Sequence, residues 1–138
     1  MVIHAYTDGA SRGNPGESGI GIILRDGKGS VLFAEGWYIG HATNNIAEYR
    51  ALLACLKKAA SLGCTKLIVH SDSELIVRQV QGKYRVKDKT LREHFREVHE
   101  LLRKVPFEFT IEHVEREQNR DADKLANGAI DIRRELAD

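Results

Sequence analysis

The spacing of apolar residues changes period at Asn44, and that change confines the chain to few folds. Before it, "VIHAYTD", "GIGIILRD" and "VLFAEGWYIG" alternate or carry β-formers, which predicts three strands, the first ending near Asp8. "DGKG" between the second and third is an Asp-Gly hairpin signal, so these strands form an antiparallel meander. From Asn44 to Leu62 the apolar residues Leu52, Cys55, Leu56 and Ala59 recur at helical spacing, and Gly63 follows as a stop.

Beyond that point the two periods interleave. "KLIVHSD" predicts a strand, "SELIVRQVQ" a short helix ending at Gly82, and "KTLREHFREVHELLRKV" a longer amphipathic helix that Pro106 stops. Its stripe is Leu91, Phe95, Val98, Leu101 and Leu102. "FEFTIEHV" predicts a fifth strand, and "NRDADKLANGAIDIRREL" a last helix starting near Asn119 or Asp121. Helices that cross between strands imply parallel neighbours. The expected fold class is α/β: one mixed five-stranded sheet, a meander plus parallel strands, flanked by helices.

The chain has 138 residues, which suits a single domain with one core. The formal net charge of +1 gives no general attraction for nucleic acid, so any basic surface must come from local clustering. Cys55 and Cys64 do not form a CxxC pair, which points to a reduced, cytoplasmic setting. No secretory leader is expected from "MVIHAYTDG", and no apolar run is long enough to span a membrane.

Three acids stand out. Glu48 lies four residues before Leu52 and seven before Cys55, on the apolar stripe of its helix. A carboxylate there is costly to bury unless it is paired or meets a cation; the plain alternative is a helix-edge residue that reaches water. Asp8 and Asp72 each follow a predicted central strand. If those strands are parallel neighbours, both acids leave the sheet at the same edge, where ligands bind in α/β sheets. Asp72 also fits an ordinary N-cap, with Glu74 and an apolar run after it. A fourth acid could come from the last helix, where spacing does not choose between Asp121 and Asp123. Converging carboxylates repel unless a cation compensates, and an all-oxygen donor set favours Mg²⁺ or Mn²⁺ over Zn²⁺.

Other motifs are weaker. "GASRGNPGESGIG" lacks Gly-Lys-Ser/Thr and precedes a strand, so it predicts a turn with Pro15-Gly16 at its apex, not a phosphate loop. His94 and His99 are five apart and do not share a helix face. His4, His70 and His113 fall in or at the ends of strands and fit structural roles. Arg78, Lys83, Arg85, Lys87 and Lys89 cluster either as a solvated face or as a hold on a phosphate backbone.

"TDGASRGNPG", "TNNIAEYRALLACLKKA", "VHSDSELIV" and "NRDADKLA" resemble, in order and at suitable intervals, the successive motifs of the type 1 ribonuclease H family. The resemblance spans nearly the whole chain. It implies one ribonuclease H domain over residues 1–138, and endonucleolytic cleavage of the RNA strand of RNA/DNA hybrids with 5′-phosphate and 3′-hydroxyl products. It also implies two Mg²⁺ ions, replaceable by Mn²⁺, with Asp8 bridging, Glu48 and Asp72 on one ion and Asp123 on the other. Gly9, Asn14, Thr43, Asn44 and Asn45 match positions that touch the hybrid. His41 stands where the family has a phosphate-contacting Arg, and Glu74 where the bacterial form commonly has Gln.

Two departures matter. The family's product-release histidine is absent from "VEREQN", leaving Arg116 or Glu117 to substitute, and "QGKYRVKDKT" is shorter than the bacterial basic protrusion. This compact pattern is similar to archaeal-like or domain-fused relatives, some of which act on RNA duplexes. The chain is expected to work as a monomer. The competing readings are a module that binds hybrid without cutting, and a related metal nuclease acting on DNA junctions or ends.

Overall fold

A computed structural model describes residues 1–133. Strands β1 (Val2–Arg12), β2 (Gly16–Asp26) and β3 (Val31–Ala42) lead into helix α1 (Asn44–Ser61). Strand β4 (Lys66–Ser71), helices α2 (Glu74–Val80) and α3 (Lys89–Lys104), strand β5 (Glu108–His113), a 3₁₀ turn (Arg116–Asn119) and helix α4 (Arg120–Ile132) follow. The sheet order is β3-β2-β1-β4-β5. β1 pairs antiparallel with β2 and β2 with β3, while β4 runs parallel to both β1 and β5. The expected mixed sheet is therefore present. The last predicted helix extends to Leu136, and residues 134–136 lie outside the described ones.

Successive residues of β2 serve opposite faces. Ile20, Ile22 and Leu24 are buried with Ile3 and Ala5 in the core beneath Leu52, Cys55 and Leu56 of α1. α3 packs against α1 on that side. α4 lies on the other face, over β2, β3 and β1. Its seat is close because Gly21 has no side chain: a Cβ there would fall 2.3 Å from the Ala122 carbonyl oxygen.

Three boundaries differ from expectation. β1 does not end near Asp8 but continues to Arg12, and β2 begins at Gly16 instead of Gly19. Residues Gly9–Arg12 pair with β2 through backbone groups, so they need no apolar alternation. The turn is consequently Gly13–Pro15, with a cis Asn14–Pro15 bond, and its apex is not Pro15-Gly16. Most of "VEREQN", expected as a loop, is the 3₁₀ turn, where Gln118 and Glu115 form a reciprocal capping box.

Candidate active site

The parallel β1–β4 pairing runs out at Thr7 and Ser71. Asp8 and Asp72 are the next residues, so both carboxylates leave the sheet at the carboxyl end of this pair. Asp8 stays within β1 through its pairing with Gly21 of β2 and is 5% exposed. Glu48, in the second turn of α1, is 8% exposed and points its carboxylate down to the same place. There its Oε1 accepts a hydrogen bond from the Gly9 N–H. α1 can approach only because Gly9 lacks a Cβ, which would sit 2.4 Å from the Glu48 nitrogen.

Carboxylate oxygens of Asp8, Glu48 and Asp72 lie within 4.8 Å of one another. Asp72 is free for this role because Ser73 caps α2, accepting from the Ile76 N–H at 3.3 Å. The helix-edge and N-cap alternatives are thus corrected: Glu48 is buried with its partners, and the cap is one residue on.

Burial, then repulsion from Glu48 and Asp72, and then a hydrogen bond with Asp123 push the Asp8 carboxyl up to about 10. Burial and Asp72 push Glu48 up to about 8, against the opposing pull of the Gly9 N–H, Asp8 and Ser73. Without a cation the cluster therefore retains protons at neutral pH. A divalent cation would displace them, and the all-oxygen donor set fits a hard ion.

Asp123 sits in the first turn of α4, lines the same cleft and accepts from Asn127 Nδ2 at 3.1 Å. Asp121 is exposed and faces Arg25 at 3.6 Å, away from the cluster. Gly9, Asn44, Asn45 and Arg116 also line the cleft. Asn14 Oδ1 accepts from the Asn44 N–H at 2.9 Å, tying the β1–β2 turn to the start of α1. Thr43 caps α1, accepting from the Ile46 N–H at 3.2 Å.

The remaining candidates stand outside the cleft. His41 is exposed near the end of β3. Glu74 is exposed at the start of α2 and accepts from the Tyr84 hydroxyl at 3.3 Å. Glu117 lies in an adjoining groove that shares Arg116 and Asp123 with the cleft. Sequence inspection missed Asn119 except as a helix start. Its side chain makes no cap and instead donates to the Thr7 carbonyl at 2.8 Å. The buried asparagine amide is its only signal, and sequence does not show burial.

Residues 6–129 match the family model described as Reverse transcriptase-like. The chain is 43% identical to ribonuclease HI of Halobacterium salinarum over 94% of its own length and 64% of that protein's. It superposes on LC11-RNase H1, crystallised in complex with an RNA/DNA hybrid, with a TM-score of 0.91 and 43% identity, covering 94% of this chain and 97% of that one. The chain belongs to the type 1 ribonuclease H family. A bifunctional protein of Mycobacterium tuberculosis is 40% identical over 95% of this chain and 36% of its own. The chain thus spans under two thirds of these two curated relatives. Its mixed sheet and acidic cluster are those expected of a ribonuclease H fold.

Proposed function

We propose that this chain is an endoribonuclease that hydrolyses the RNA strand of RNA/DNA hybrids, leaving 5′-phosphate and 3′-hydroxyl ends. The carrying observation is the Asp8–Glu48–Asp72 cluster, with oxygens within 4.8 Å, in a close relative of a protein crystallised with hybrid. We read residues 1–138 as one ribonuclease H domain, cytoplasmic and monomeric.

Asp8, Glu48, Asp72 and Asp123 are the residues that would hold two Mg²⁺ ions, or Mn²⁺ in their place. When bound, such ions activate water and stabilise the charge developing on the leaving oxygen. The protein's own part is to keep the carboxylates apart from bulk water and correctly turned. The Gly9 N–H fixes one oxygen of Glu48. Glu48, which also meets Asp8 and Ser73, would contact a ribose 2′-OH, the group that distinguishes RNA from DNA.

Asn44 and Asn45 line the cleft, with Asn14 bonded to the Asn44 backbone beside them. Thr43 uses its oxygen as a cap and keeps its hydroxyl proton free for a phosphate. His41 and Glu74 flank this surface in our reading, and Glu74 reaches the substrate only by releasing Tyr84. Arg116, in the cleft, and Glu117, beside it, serve product release in place of the family's histidine. Such contacts read shape and backbone, not base sequence. Action on RNA duplexes is a further activity to test.

The decisive experiment is cleavage of end-labelled hybrid, RNA duplex and DNA duplex, with Mg²⁺, Mn²⁺ or chelator, by wild type and Asp8→Asn. Metal-dependent cutting of the RNA strand, lost in the variant, is the expected result. Tight hybrid binding without cutting would make the chain a binding module. Preferential cutting of DNA duplex would make it a different nuclease.

A further inference from the structure

We propose that Asn119 is the positioning residue that sets Asp123 against Asp8, through the hydrogen bond from its side-chain amide to the Thr7 carbonyl. The inference rests on Asp8 and Asp123 acting together as read above.

Asn119 is 1% exposed, and its Nδ2 donates to the Thr7 oxygen at 2.8 Å across 112 residues of sequence. Each end of this bond is close to a carboxylate. Thr7 directly precedes Asp8 and is the last β1 residue paired with β4. Asn119 directly precedes α4, whose first turn carries Asp123. The bond therefore joins the strand holding one acid to the helix holding the other.

Its chemistry separates it from an ordinary cap. Asparagine at this position commonly accepts from a helix N–H. Here no such bond forms, and Oδ1 is buried with no protein hydrogen-bond partner among the described residues. A bare buried acceptor is unfavourable, so a side chain selected for packing alone would be apolar. The donor is what the site uses.

Apart from the solvent-facing pairs of Arg12 with Asp131 and with the Asn127 carbonyl, at 2.7 and 3.2 Å, and of Arg25 with Asp121 at 3.6 Å, the contacts of α4 with the sheet are not directional. Ala122, Ala126, Ala129 and Ile130 are buried apolar groups, and the glycine seat at Gly21 sets only how closely the helix lies. Such contacts tolerate small slides and rotations. A hydrogen bond restricts both distance and angle. Asn127 then holds the Asp123 side chain itself, through its 3.1 Å bond. Asn119 fixes the helix, and Asn127 fixes the carboxylate.

The test compares Asn119→Ala and Asn119→Asp in the wild-type and Asp123→Asn backgrounds. Calorimetric titration with Mn²⁺ alone, kcat and KM on hybrid, and melting in chelator are measured for each. In the wild-type background kcat should fall about tenfold, with KM for hybrid within about twofold. Mn²⁺ affinity should weaken about fivefold. In the Asp123→Asn background neither substitution should change kcat or Mn²⁺ affinity further, because the residue acts through Asp123.

Equal losses in both backgrounds would overturn the proposal, as would folded variants with unchanged kcat and Mn²⁺ affinity. If neither variant folds, Asn119 serves the fold and the proposal fails. A wild type that does not cut hybrid would defeat the functional reading alone, because the Mn²⁺ titration still decides the role of Asn119.

Discussion

Asp8 carries the largest electrostatic penalty in the molecule's cleft. Its carboxyl is raised from 3.8 to about 10, and that of Glu48 from 4.5 to about 8. The folded protein thus holds protons that the unfolded chain releases, so metal-free stability falls as pH rises above the unfolded values. That loss continues up to the folded values. Between about pH 5 and about pH 8, Asp8→Asn should melt at higher temperature than wild type in chelator, by a margin that widens with pH. Excess Mg²⁺ should narrow the margin by stabilising the wild type. Thermal melts at several pH values, with and without metal, check the sign. At the same scale, Asp123→Asn should abolish most hybrid cleavage. Asp121→Asn should leave it unchanged and shift stability by about 0.5 kcal/mol or less, since its ion pair with Arg25 is exposed and 3.6 Å long.

At the scale of elements, the site depends on how closely two helices lie on the sheet. α1 delivers Glu48 because Gly9 offers no side chain to Ala47 and Glu48. Gly9→Ala should destabilise the protein by about 1–3 kcal/mol, as overpacking does. It should also cut activity by displacing Glu48 from the Gly9 N–H. Urea unfolding with parallel hybrid cleavage measures both. α2 shows how a cap releases a functional residue: Ser73 serves the helix, and Asp72 is left to the cleft. The α2–α3 connection is short but anchored. Val86 is buried, and Arg92 donates to the Val86 and Lys87 carbonyls at 3.4 and 3.2 Å. His4 and His70 of the sheet are structural in the same way. His70 bonds Glu112 at 2.8 Å and His4 at 3.1 Å, and burial lowers its pKa.

For the whole molecule, a net charge of +1 supplies no overall attraction for nucleic acid. On the proposed function, affinity for hybrid would come from local groups, namely the cleft and the exposed Lys83, Arg85, Lys87 and Lys89. Binding should therefore weaken with salt, and removing one phosphate-contacting lysine should reduce the log–log salt slope by about 1. Hybrids of different base sequence but equal length should bind alike, because the proposed contacts are to backbone and ribose. Titration of labelled hybrids across a salt series, with wild type and Lys87→Ala, checks both expectations.

The order of strands and helices, the Asp-Gly hairpin and the apolar stripe of α1 were legible in the sequence, because one-sided burial imposes a period on side chains. The same periodicity exposed Glu48 as an acid on an apolar stripe and placed Asp8 and Asp72 after central strands. The extension of β1 to Arg12 left no such trace, because backbone pairing puts no constraint on side-chain polarity. Nor did spacing separate Asp121 from Asp123, or Asp72 from Ser73 as the cap. Those choices depend on which side of a helix meets the sheet, and on contacts such as Asn119 to Thr7 between residues far apart in the chain. Sequence determined the elements and their polarity. Tertiary structure alone decided which carboxylates meet, because α1 and α4, packed on opposite faces of one sheet, bring Glu48 and Asp123 to the edge where Asp8 and Asp72 emerge.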